Sequence, residues 1–123
     1  MIDLRLDVTQ VMVGEKISGQ FIWQPDDPSK LPKSAQVGLV WFTEGRGTRD
    51  RQVAERLQID PERLTQLQQR PFPFSLKMPL DAPLTYDGYL FRLMWELEVE
   101  IIFPGIFRPK ETEVRAIQVF PPR

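Results

Sequence analysis

The chain has 123 residues, 16 Lys and Arg against 17 Asp and Glu, a net charge of -1, and neither cysteine nor histidine. Those absences remove disulfides, a thiolate nucleophile, zinc-thiolate sites and the imidazole base, so any catalysis would have to run on carboxylates, Lys, Tyr, Ser or Thr. The interspersed charges lack the basic surplus that phosphate neutralisation needs, which argues against nucleic acid, and no apolar run approaches the ~20 residues of a membrane span. The expectations are one domain over residues 1–123, a reducing cytoplasmic location, no cofactor and no enzymatic activity.

The predicted elements begin with a strand in which Ile2, Leu4, Leu6 and Val8 share one face and Asp3, Arg5, Asp7 and Thr9 the other. Gly14-Glu15 breaks the pattern. A second strand places Ile17, Gly19, Phe21 and Trp23 inward, and Pro25 to Ser29 form a loop dense in turn formers. The third strand, Gln36 to Thr43, is apolar on both faces, which predicts a central place with its second face covered by the helix or a loop. Arg51 to Ile59 reads as a strand through Val53, Leu57 and Ile59, interrupted by Glu55. Asp60-Pro61-Glu62 then carries the signals of a short helix over 61–68: an Asp cap, Pro at the first helical position and an acid in the first turn.

Phe72, Phe74, Leu76 and Met78 form another alternating strand, followed by an irregular crossing from Pro79 to Gly88. From Tyr89 to Phe103 every odd position is apolar, while Arg92, Glu96, Glu98 and Glu100 fall on even ones. A period of two held over this span describes a long half-buried strand. A turn at Pro104-Gly105 leads to a last strand, in which Val114, Ala116, Gln118 and Phe120 alternate with Arg115, Ile117 and Val119. About seven strands, mostly antiparallel, with turn signals between them predict an immunoglobulin-like, all-β sandwich.

Pro71-Phe72-Pro73-Phe74-Ser75-Leu76, then Pro83-Leu84-Thr85-Tyr86-Asp87-Gly88 and the alternating strand, resemble the arrestin-like superfamily. Its members carry a phenylalanine-rich strand, a Pro-x-Ser/Thr-Tyr/Phe-x-Gly crossing and a long strand in that order. The Gly14 to Gly19 segment is similar to the family's early Gly-x-x-Ile-x-Gly stretch, and a short helix before the phenylalanine strand also occurs in arrestins. The resemblance implies an arrestin-like sandwich acting as a non-catalytic scaffold. Full arrestins have two such sandwiches and this chain has length for one, so the polar core, the interlobe hinge and the regulatory tail are not carried over. The missing lobe makes a homodimer one candidate assembly.

The most distinctive polar segment runs from Thr43 to Arg51. Two glycines one residue apart predict a tight hairpin displaying Glu44, Arg46, Thr48, Arg49, Asp50 and Arg51, a surface suited to an anionic or peptide partner because arginine offers a planar fork to carboxylate or phosphate. The alternative is a solvated hairpin with internal ion pairs. Glu96, Glu98 and Glu100 form a charged row better suited to protecting an exposed strand than to holding calcium. A carbohydrate or small-molecule module is the rival function; it would need an exposed aromatic platform or a pocket between the sheets, and Trp23, Trp41 and Trp95 fall on faces that read as core. The reading is a protein-interaction module whose partner is another protein or peptide, a second copy included.

Overall fold

The computed structural model describes residues 1–122, with the backbone alone described at Thr48. Nine strands and one helix are found among the described residues: β1 (Ile2–Leu6), β2 (Gln10–Met12), β3 (Lys16–Trp23), β4 (Ser34–Gly45), β5 (Thr48–Ile59), α1 (Pro61–Gln66), β6 (Pro71–Lys77), β7 (Tyr86–Asp87), β8 (Arg92–Ile102) and β9 (Lys110–Phe120). The two strands beyond the expected seven are β2 and β7, three and two residues long, too short to show a period. They form a three-stranded sheet, β1-β3-β6, and a six-stranded sheet, β2-β9-β8-β4-β5, with β7 added to β8. Pairing is antiparallel except for β2, which runs parallel to β9 with Gln10 opposite Gln118 and Met12 opposite Phe120.

Alternation along each strand supplies the core between the sheets. Ile17, Phe21 and Trp23 of β3 and Phe72, Phe74 and Leu76 of β6 face Val37 and Leu39 of β4 and Trp95, Leu97, Val99 and Ile101 of β8. Phe21 and Phe72 are register partners whose rings stack at 5.1 Å. In β9 the inward set is Ile117 and Val119, which leaves Val114 and Phe120 exposed. The helix starts as expected, with the Asp60 carboxylate accepting from the Glu62 N–H at 3.1 Å, and buries Leu64 in the main core. It ends at Gln66, two residues before the expected limit.

Three expectations change. The long strand starts at Arg92, not Tyr89, because β7 pairs with Leu93 and Arg92 and the chain must turn through residues 88–91, closed by the Gly88 N–H to the Phe91 carbonyl at 3.1 Å. Tyr89 is fully exposed and Phe91 about half exposed, so the apolar period there does not mark core. The first strand stops at Leu6, leaving Val8 in solvent. The second face of β4 is buried at Val40 and Phe42, yet α1 does not cover it, since its buried residue belongs to the core between the sheets. Long side chains of the same sheet do so: the Arg49 guanidinium lies 4.3 Å from the Phe42 ring centroid, and Arg51 reaches across β4 to Glu98.

Candidate partner-binding site at two hairpin tips

The β4–β5 connection is a two-residue turn, with Gly45 opposite Thr48 in the register. Arg46 has φ 44° and Gly47 φ 84°, so both central residues are left-handed, as the hairpin turn that matches strand twist requires. An ordinary side chain in that region costs about 1–2 kcal/mol. Arg46→Gly is therefore expected to raise stability by about 1 kcal/mol, read as a higher urea midpoint. A lower midpoint would show that the Arg46 side chain makes a contact worth more than the backbone strain.

A second hairpin tip, residues 88–91 between β7 and β8, abuts the first. Gly45 permits this approach: a Cβ built there would lie 3.1 Å from both the Leu90 carbonyl oxygen and Phe91 Cβ. Between the tips lies an open cleft of about 550 Å³ lined by Glu44, Arg46, Arg49, Tyr89, Phe91 and Arg92 among others. Glu44 holds its centre, accepting from Arg92 at 3.0 Å and pairing with Arg49 at 3.5 Å. Arg92 also lies 4.0 Å from Asp87. Arg46 has no ion pair among the described residues. Phe91 packs on Tyr86, with ring centroids 4.8 Å apart, and gives the cleft an apolar wall. Three guanidiniums against one carboxylate on the lining leave unused donors for an anionic group, since each guanidinium has five.

Of the six residues singled out in sequence, the cleft gathers Glu44, Arg46 and Arg49. Arg51 sits on the same face of the sheet, but its terminal nitrogen is committed to both oxygens of Glu98, at 3.1 and 3.2 Å. Asp50 pairs with Thr43 and projects to the opposite face. The Thr48 side chain lies outside the described residues. Tyr89, Phe91 and Arg92 were missed because their alternation reads as buried strand; the signal against that reading was the turn-forming Asp87-Gly88 just before them. Two members of the acidic row are paired within the sheet, Glu98 with Arg51 and Glu100 with Lys110 at 3.7 Å. Among the described residues no group of three or more carboxylates is placed to hold a metal ion. Trp23 and Trp95 are buried and Trp41 is partly buried against the core, so none forms an exposed sugar platform. No described helix is long and apolar enough to cross a membrane.

The molecule is an all-β sandwich of arrestin-like fold, with a charged, aromatic-walled cleft at one end of its larger sheet. Among solved structures it is similar to the sporulation control protein Spo0M from Bacillus subtilis, with a TM-score of 0.70 and 14% identity over 96% of this chain and 48% of that one. At this identity the likeness is one of fold, and this chain spans about half the length of Spo0M. No family model matches the sequence, and no curated protein sequence does.

Proposed function

We propose that this chain is a cytoplasmic, non-catalytic protein-interaction module, a member of the arrestin-like superfamily that grips an acidic or phosphorylated segment of a protein partner between its two hairpin tips. The observation that carries the reading is the gathering of Arg46, Arg49 and Arg92 on a cleft lining whose one carboxylate is Glu44, with Tyr89 and Phe91 exposed beside them. Charge-assisted bonds from guanidinium to carboxylate or phosphate are about twice as strong as neutral ones, and the aromatic wall adds contact area for a neighbouring apolar residue. Arg46 is the natural first contact because no carboxylate of the chain competes for it among the described residues. The role named for Spo0M, control of sporulation, is compatible with regulation by binding.

The test compares the wild type with Arg46→Ala/Arg92→Ala in titrations against matched phosphorylated and unphosphorylated peptides and in pull-downs from lysate. Both residues are exposed, so the variant is expected to keep its thermal midpoint. Retention is expected to fall roughly a hundredfold, two charged contacts of about 1.5 kcal/mol each. Equal retention by both proteins would remove the cleft as the partner site.

A further inference from the structure

The longest unpaired sheet edge is β5, twelve residues hydrogen-bonded to β4 alone. The other edges are shorter or poorer templates: β2 has three residues and β1 five, β9 is open only over residues 110–117, where β2 does not pair with it, and β6 carries Pro71 and Pro73, which cannot donate to a ladder. The β5 edge also has an unusual charge pattern, which a single bulge creates. Val40 pairs with Val53 while Leu39 pairs with Glu55, so Ala54 is an extra residue that shifts the alternation of everything after it. On the outer face, Arg49 lies opposite Glu44, Arg51 opposite Phe42 and Arg56 opposite Gly38. Arg51, Val53 and Arg56 accordingly line one outer groove with Gly38, Glu98 and Glu100. On the inner face, Asp50 lies opposite Thr43 and Glu55 opposite the buried Leu39. Every charge of β5 on the outer face is thus an arginine, and every charge on the inner face is an acid.

This separation decides what can add to the edge. A second copy pairing β5 antiparallel with β5 must keep outer face against outer face, and then arginine can meet only arginine or a neutral residue, and acid only acid or a neutral one. Like charges directly opposite across strands are destabilising, so the edge rejects antiparallel pairing with its own copy. Without the bulge, Arg51 and Glu55 would share one face and Asp50 and Arg56 the other, and self-pairing about Val53 would form attractive pairs. A strand of opposite phase, acids outward and bases inward, meets complementary charge at every charged position. Arg56 has no ion pair among the described residues, and Arg49 and Arg51 each keep donors beyond their single carboxylate.

We propose that the β5 edge accepts an extended peptide segment of alternating charge, which continues the six-stranded sheet with its acidic side chains over Arg49, Arg51 and Arg56 and its basic ones beside Asp50 and Glu55. This surface shares Arg49 with the cleft at the hairpin tips but otherwise lies along the strand beyond it, and it goes beyond the function proposed for the cleft.

The test uses fluorescence anisotropy with two labelled synthetic peptides: VEKVTEKE, written antiparallel to residues 57 to 49 with Ala54 skipped, and its charge-reversed counterpart VKEVTKEK. The wild type is expected to bind the first roughly tenfold more tightly, the sum of several cross-strand pairs. Arg56→Glu, at an exposed position with no ion pair among the described residues, is expected to reduce that preference with an unchanged thermal midpoint. N-methylation of alternate amides, which leaves the charges but blocks the ladder, is expected to abolish binding. The Arg46→Ala/Arg92→Ala variant is expected to bind VEKVTEKE as the wild type does. Absence of binding, equal affinity for the two peptides, binding that survives N-methylation, or loss of binding in the cleft variant would each overturn the proposal.

Discussion

Trp95→Ala is expected to remove about 3–5 kcal/mol of stability, the range for deleting a buried aromatic side chain, and so a large part of the ~5–15 kcal/mol that holds a domain of this size. Trp95 is fully buried at the middle of the larger sheet, on β8 between Trp41 of β4 and Ile117 of β9. Its indole N–H donates to the Pro83 carbonyl at 2.7 Å, which ties the irregular crossing before β7 to the sheet. Truncation therefore opens a cavity and releases the crossing together. Trp95→Phe separates the two effects: it keeps most of the volume and strands the Pro83 carbonyl, for an expected loss of about 1–3 kcal/mol. Urea denaturation followed by circular dichroism reads both. A loss under about 1 kcal/mol for the alanine variant would mean that the neighbouring side chains collapse into the space, contrary to the close packing of such cores.

Gly19→Ala carries the second large effect. A Cβ at Gly19 would lie 2.4 Å from the Arg5 carbonyl oxygen and 3.1 Å from Leu6 Cα. Both obstacles are backbone, so rotating a side chain relieves neither, and β1 would have to move off β3. Overpacking of this kind costs about 1–3 kcal/mol and occasionally more; the rigid obstacle here places the expectation at the upper end. Gly38→Ala is the control, because its Cβ would meet nothing closer than 3.7 Å and no left-handed φ is required. That variant is expected to gain about 0.4–1 kcal/mol by restricting the unfolded chain. Similar destabilisation of the two variants in the same denaturation experiment would sink the steric account.

Most of the architecture was legible because period-two alternation is a property of single strands. Ile17 to Trp23, Phe72 to Leu76 and Trp95 to Ile101 read correctly from their own residues, and the Asp60 cap announced α1. What failed depended on neighbours. Tyr89 and Phe91 continue the alternation of β8, yet they lie in the turn through residues 88–91 that β7 imposes, and alternation alone does not reveal where the strand starts. In β5, Val53 and Leu57 were assigned to one face and stand on opposite ones, because the bulge at Ala54 is a feature of pairing with β4 and has no local signature. Glu55 falling within an apolar face was the trace it left. The hairpin turn at Arg46-Gly47 was visible as glycine spacing. That its tip meets residues 88–91 to enclose a cleft was not, since it follows from β4 and β8 lying side by side with their ends in register.

The parallel pairing of β2 with β9 bears on how the protein is made. Gln10 and Gln118, joined side chain to side chain at 3.2 Å, are 108 residues apart, so β2 leaves the ribosome long before the strand that completes its ladder. Until β9 emerges, β2 lacks its ladder and β8 exposes the edge that β9 will occupy. The larger sheet therefore cannot close until β9 has been made, and β2 waits without its ladder while the intervening strands are synthesised, a state in which β-rich chains are open to misassociation and to chaperone capture.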